Sequence, residues 1–424
     1  MGFKQEKFKR LIEHKSGYTW GKEQELDKPE DGSVRVLTVT NIQEKLDLSS
    51  ELYLKDVKDR DRKEKSVSKD WTIAVSSNGN RKRIGNAVFI SDDTDYLFAS
   101  FLTAFKPKQD ADITPQYFFQ WFSSHVVQER ITSVSEGTTG LGNLDIRYLR
   151  NMDIEYPDNE PEQKAIAIIL SKVDEAIKAT ENSIKAAEKL KKSLMQNLLT
   201  GKLKPDGTWR KEDEFYKDEK FGNVPEGWEV KRVEQLVNRR TDNFDPLKSS
   251  ESYDYIGLEH ILPNEFRRDG VGKSDETLAL KIKFSIGDVL LGKLRPYLNK
   301  VWIADINGVG STEFLVFECN KYSNWVYLNF QSKRFLDFTQ SVTAGTQHPR
   351  ASYRDVKRFL LSFPKNDNEM DLITTAIIST ERLKDEKLLR IKMLQRLKKS
   401  LMQNLLTGKV RVDVNKIEKL LQEQ

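Results

Sequence analysis

A single cysteine, Cys319, stands among 424 residues, which excludes an internal disulfide and any cluster of thiolate ligands and suits a cytoplasmic chain. Histidine is almost as scarce. The four present, His14, His125, His260 and His348, lie far apart and give none of the close spacings of a zinc site. No segment approaches the ~20 consecutive apolar residues of a membrane span, and Met1 to Lys7 contains no signal-like apolar stretch. Gly2 is not followed by the Ser or Thr of a myristoylation signal, because position six is Glu6. Nucleotide chemistry is missing too: Gly270-Val271-Gly272-Lys273-Ser274 has Arg267 where a phosphate loop needs its first glycine, so a charged hairpin is expected. Neither a compact carboxylate set nor a nucleophile motif is visible, which argues against an independent enzyme. Charge decides little by itself. Lys and Arg number 70 against 65 acidic residues, a net +5 that permits a polyanionic partner but equally describes a solvated surface.

What the chain has is a repeat. The 13 residues from Leu190 to Lys202 recur letter for letter from Leu397 to Lys409, an offset of 207. A repeat of this length implies two halves built on one plan. In each half the repeat ends a long segment without Gly or Pro, 162–200 and 369–407. The first carries Ile166, Leu170, Val173, Ile177, Thr180, Ile184, Ala187, Leu194 and Leu198 at alternating steps of three and four. That spacing predicts a helix with one buried face, roughly 55 to 60 Å long at 1.5 Å per residue. The offset places Ile373, Ile377, Thr380, Lys384, Lys387, Ile391, Leu394, Leu401 and Leu405 on the second stripe, with Leu383 and Leu388 expected to fill its weak middle and Leu190 to substitute for Lys191 in the first. Two such helices can cover each other as an antiparallel coiled coil with the halves related by a pseudo-twofold axis. Separate helical bundles are the alternative. Gly201 and Gly408 are expected C-caps, and Pro161 and Glu162 open the first helix.

Before each helix lies a β-rich globular part. Strands are expected at 34–39, 71–75, 87–90 and 96–101, with counterparts at 253–258, 288–291, 301–304 and 313–317. Aromatic helical stretches follow at 116–131 and 322–338, then a Gly-Thr loop and a last strand ending in Pro157 or Pro364. The expected class is α+β. Its boundaries are 1–157, a helical spacer 158–202, a linker 203–223, a second globular part 224–364, a second spacer 365–409 and a tail 410–424.

Equivalent polar loops are the candidate binding sites. After one strand come Asn78, Asn80, Arg81, Lys82 and Arg83; after its counterpart come Lys293, Arg295, Tyr297 and Lys300. A later loop pair supplies Thr139, Asn143 and Arg147 in the first half, and Thr346, Gln347, Arg350 and Arg354 in the second. Lys and Arg can neutralise phosphates, and Asn, Gln or Arg can present paired hydrogen bonds to base edges. Charged turns on any soluble protein would read similarly. Aromatics such as Tyr117, Phe118, Phe119, Trp121 and Phe122 are expected to face the core. Two surfaces separated by a rigid spacer would meet duplex DNA, which repeats every ~34 Å, at two places.

The repeat, together with Val224-Pro225-Glu226-Gly227-Trp228-Glu229-Val230, the run Gly287 to Leu298 and Ser311-Thr312-Glu313-Phe314, resembles the specificity subunit of type I restriction-modification enzymes across essentially the whole chain. The first half departs from the pattern, with Ser77-Asn78-Gly79-Asn80 where the second has Gly-Lys-Leu-Arg-Pro-Tyr. The resemblance implies two target recognition domains at 1–157 and 224–364, each reading half of a split DNA target, and helical regions that bind two methyltransferase subunits. With two motor-nuclease subunits added, the complex would restrict DNA using ATP. S-adenosylmethionine, ATP and Mg2+ would sit on those partners and none on this chain. The near-identity of the repeats then suits docking of two copies of one partner. A free-standing DNA-binding regulator and a protein scaffold that reads no DNA are the alternatives.

Overall fold

The computed structural model describes residues 2–43, 45–135, 142–276, 278–343 and 349–422. Two compact units partition the chain: 1–178 with 392–424, and 179–391. Neither coincides with a half of the sequence, because each of the two long helices contributes to both.

In the first unit, strands Ile12–Ser16, Leu102–Pro107, Thr72–Val75 and Ala87–Phe89 lie side by side in that order, all antiparallel. In the second, Asn238–Arg239, Phe314–Glu318, Val289–Gly292 and Val301–Ile303 make a sheet of the same order and sense. The central strands Thr72–Val75 and Val289–Gly292 are buried along their whole length, which is why they read as short apolar runs without alternation. A second sheet accompanies each: Glu25–Leu26, Tyr53–Leu54, Val34–Leu37 and Leu97–Phe98 in the first unit, and five strands from Asn243–Phe244 to Gly272–Lys273 in the second. The strand expected at 96–101 is thus only the short Leu97–Phe98, and the long strand Leu102–Pro107 that follows it lies beyond the expected boundary. Gly272–Lys273 pairs with Asp254–Tyr255, and Lys273 Nζ lies 2.8 Å from Asp254, so this run is a charged strand pairing.

Each aromatic stretch forms two helices, Pro115–Phe122 and His125–Val134, then Ser323–Phe330 and Lys333–Thr343. Thr114 caps the first by accepting from the Tyr117 N–H at 3.3 Å, with Pro115 at the first helical position. Tyr117, Phe118, Trp121 and Phe122 face the core, as do Trp325, Tyr327 and Phe330. Burying each contributes about 1.5–3 kcal/mol. A closing strand, Asp153–Pro157 or Leu360–Pro364, pairs antiparallel with an entry strand, Phe3–Lys7 or Trp228–Arg232.

The long helices are Glu160–Leu198 and Asp367–Leu405, 39 residues each and again 207 apart. Both begin and end two residues earlier than the periodicity suggests. Within the first unit they run antiparallel, with Lys398 Nζ 2.6 Å from Asp174. Within the second they do likewise, with Lys384 3.2 Å from Glu188 and Lys191 paired with Glu381. The expected stripe is largely buried: Ile166, Leu170, Val173, Thr180, Ile184, Ala187 and Leu198 in one helix, Ile373, Ile377, Thr380 and Leu405 in the other. Two expectations fail. Leu190 and Leu383 are exposed, 50% and 41%, and the neighbouring Lys191 and Lys384 hold the inner positions instead. Periodicity alone treats lysine as an interruption, whereas here carboxylates opposite make it part of the seam.

The ends of the repeat also have an internal role. Leu198 and Leu199 complete the core of the globular part that follows them, beside Val224, Trp228 and Trp325. Met402, Leu405 and Leu406 complete that of the first globular part, beside Phe8, Tyr117 and Tyr156. These apolar residues of the repeat therefore belong to the two cores, whereas Gln196, Thr200, Gln403 and Thr407 beside them stay exposed. The segment expected as a linker is built into the second unit too: Leu203 bridges Trp209, and Phe215–Asp218 pairs with Gly222–Pro225. The expected tail contains the helix Val414–Gln422.

Candidate nucleic-acid interface

In the first unit, the loop leaving the central strand Thr72–Val75 folds against the segment before the last short helix. Ser77–Asn78 pairs antiparallel with Gly142–Asn143, and the Leu144 N–H donates to Ser76 O at 2.8 Å. Both Ser76 and Ser77 also donate their N–H groups to Phe101 O, at 2.8 and 3.1 Å. Gly142 approaches Arg81 so closely that a Cβ would lie 3.1 Å from Arg81 Cγ. Downstream, Asn78 Oδ1 accepts from Asn80 N at 2.8 Å and Asn80 Oδ1 accepts from Lys82 N at 3.1 Å, winding the loop into a short 3-10 turn over Arg81–Arg83. Arg81 and Lys82 are exposed there. Arg83 is turned inward, its Nη2 donating to Val39 O at 2.9 Å and Ile42 O at 2.7 Å. Asn143 and Arg147 are exposed, the latter on the helix Ile146–Asn151 capped by Asp145.

The second unit makes the same junction with different side chains. The Ala351 N–H donates to Lys293 O at 2.9 Å, the Arg295 N–H to Pro349 O at 2.8 Å, and Leu294 bridges Arg350. Here the Lys293 N–H donates to Glu313 O at 2.8 Å, as Ser76 does to Phe101. Arg295 and Asn299 adopt left-handed backbone conformations, with φ of 50° and 53°, on either side of the turn Pro296–Leu298. That turn leaves Tyr297 49% exposed. Lys300 is committed inward, its Nζ donating to Leu258 O at 2.7 Å. Arg350 Nη2 lies 3.2 Å from Glu313 Oε1, and the Arg239 guanidinium stacks 4.8 Å from the Tyr353 ring. Burial, reinforced by Arg239 and Arg350, lowers the Lys293 pKa despite the opposing Glu313. Arg354 is exposed on the short helix Tyr353–Val356, whose cap is Ser352.

Thirteen of the sixteen candidate residues therefore have a described position. Thr139, Thr346 and Gln347 lie outside the described residues. Asn78, Asn80, Arg81, Lys82 and Asn143, with Arg147 beyond, gather at one junction; Lys293, Arg295, Tyr297 and Arg350, with Arg354 beyond, gather at the other. Sequence reasoning misses Phe101, 52% exposed, and its counterpart Glu313 as members. A partial signal exists, since both directly precede the strand beside the central one.

Among the described residues no group of three or more His, Cys, Asp or Glu is arranged to hold a metal ion, and no helix is long and apolar enough to cross a membrane. Cys319 is buried, and burial pushes its thiol pKa well up. A cavity of about 820 Å³ in the second unit is lined by Lys191, Gln331, Glu381, Lys384 and Phe266.

Comparison with known proteins gives these junctions a context. The family model described as Type I restriction modification DNA specificity domain matches residues 3–189. The MjaVIII type I restriction enzyme specificity subunit of Methanocaldococcus jannaschii is 25% identical over 319 residues, 69% of this chain and 70% of that one. The EcoDI specificity subunit of Escherichia coli is 21% identical over 272 residues, 58% of each chain. The crystal structure of a type I restriction-modification S subunit from M. genitalium shares the fold, with a TM-score of 0.61 at 14% identity over 95% of this chain and 96% of that one. Residues 3–189 thus match the model of a type I restriction modification DNA specificity domain, specificity subunits of such enzymes are similar in sequence over much of the chain, and the duplicated α+β scaffold with its paired long helices has the fold of a solved S subunit.

Proposed function

We propose that this chain reads a split, asymmetric duplex DNA target through its two globular parts, 1–157 and 224–364, and directs adenine-N6 methylation and ATP-dependent restriction by partner subunits. The observation that carries this reading is the matched pair of loop junctions. Each unit joins the loop after its central strand to the segment before its last short helix by the same backbone hydrogen bonds, yet presents different side chains. A shared geometry with divergent polar contents suits two readers of unlike sequences.

The long helices would space the readers, with the halves in a pseudo-twofold relation, and dock two methyltransferase and two motor-nuclease subunits. S-adenosylmethionine, ATP and Mg2+ would act on those partners: the first supplies a methyl group, and the others support motor activity. What this chain contributes is position, holding the partners over one DNA address.

Co-expression with the co-encoded methyltransferase subunits, followed by genome-wide mapping of N6-methyladenine, tests the reading. Two defined base blocks at a fixed gap are expected. An intact complex that leaves no sequence-linked methylation overturns it, and tight sequence-specific binding by the isolated chain would favour a free-standing regulator.

A further inference from the structure

Resting on that reading of the two junctions, we propose that Asn143 and Arg350 are the base-reading residues at one shared position, Asn143 for adenine in one half-site and Arg350 for guanine in the other. The two are separated by the same 207 residues as the repeats and occupy the same place in the backbone. Asn143 stands opposite Ser77 and Arg350 opposite Leu294, each in the short pairing that closes the junction. The next residue in each case, Leu144 or Ala351, is buried at 7% or 1%, so alternation along an extended segment turns Asn143 and Arg350 outward. After that comes a helix cap, Asp145 accepting from Tyr148 N at 2.9 Å and Ser352 accepting from Asp355 N at 3.2 Å. Both side chains thus project from backbone fixed on each side.

Their chemistry differs in the way that base edges differ. An amide offers one donor and one acceptor, the complement of adenine N6 and N7, whereas a guanidinium offers two parallel donors for guanine O6 and N7. Arg350 also has a brace, because the Glu313 carboxylate, 3.2 Å from its Nη2, orients the guanidinium. In the first unit the equivalent carbonyl belongs to Phe101, which supplies no charge, and Asn143 needs none. Four residues further on, Arg147 and Arg354 are the same residue at the same offset, both exposed. An identical side chain cannot distinguish two half-sites, so this pair fits phosphate contacts and leaves discrimination to the unlike pair.

The test uses the full chain in complex with its methyltransferase subunits and a panel of duplexes carrying each base at each target position. R350A should lose guanine preference at one position of one half-site, on the order of ten- to a hundredfold, with the other half-site unchanged. N143A should do the same for an adenine in the other half. R147A and R354A should weaken all duplexes alike and flatten the salt dependence. E313Q keeps the cation but loosens its orientation, so it should relax the same guanine preference partially. R350A or N143A complexes that retain the full target, or weaken every duplex equally, overturn the assignment. A wild-type complex without sequence preference would instead remove the underlying reading, so the two failures are distinguishable.

Discussion

Glu162 and Glu381 are both buried, yet their surroundings push them in opposite directions. Glu162 accepts from Arg411 and from the Asn159 side chain, and the Arg411 hydrogen bond is the main reason its pKa lies below the ordinary 4.5. Its stabilisation is full above pH 4.5 and fades as pH falls through the lower folded value. Burial dominates at Glu381 and raises its pKa, although Lys191 and Tyr327 oppose the shift. Its favourable contribution is therefore complete below pH 4.5 and is lost as pH rises through the folded value. Relative to wild type, E162Q should become less stable between pH 4 and 7, reaching a loss of about 2 kcal/mol, while E381Q should become more stable over the same interval. Urea unfolding across that range checks both, and parallel slopes would refute the opposed assignments. A steric test concerns Gly201, at φ 67°, where a Cβ would lie 2.2 Å from Pro225 Cγ. Left-handed backbone and collision together should make G201A cost on the order of 2 kcal/mol, measurable as a lower unfolding midpoint. An unchanged midpoint would mean that the helix end does not seat against Pro225 as described.

At the scale of elements, the long helices are the most legible feature, because only an amphipathic helix sustains a three-and-four apolar period for about ten turns. Their half-buried lysines are not legible, since Lys191 and Lys384 belong to the seam only through carboxylates that come from elsewhere in sequence. Leu102–Pro107 is hidden for a different reason: buried almost throughout and ending in proline, it lacks the alternation that marks a half-exposed strand. The candidate loops can be located by the repeat offset, but the pairing of Ser77 with Asn143 depends on tertiary closure that no local pattern records. The repeat itself is legible as duplication, whereas its packing role is not. Leu405 lies in the first core although it ends the second helix, and Leu198 lies in the second although it ends the first. Truncation at either site should cost about 2–5 kcal/mol. Hydrogen exchange should place the L405A effect in the entry strand Phe3–Lys7 and in Leu102–Pro107, far away in sequence. Faster exchange confined to Asp367–Leu405 would contradict this exchanged docking.

For the whole molecule, the proposed spacing role can be separated from stability because the helix pairing has a fixed register. Lys191 meets Glu381 and Glu188 meets Lys384, so three residues down one helix correspond to three residues up the other. A segment inserted after Ser183 in only one helix would leave these pairs in register with each other but out of register with Lys398 and Asp174 on the other side of the insertion. Seven residues inserted after Ser183, matched by seven after Leu388, keep the register and return the apolar stripe nearly to phase. The matched insertion lengthens each helix by ~10.5 Å, equivalent to about three base pairs at the rise of B-DNA. The mapped methylation target should then keep both base blocks and gain roughly three unspecified positions between them, whereas the single insertion should lower the unfolding midpoint. Retention of the original gap in a folded, matched-insertion complex would show that the helices hold the partners without measuring the DNA.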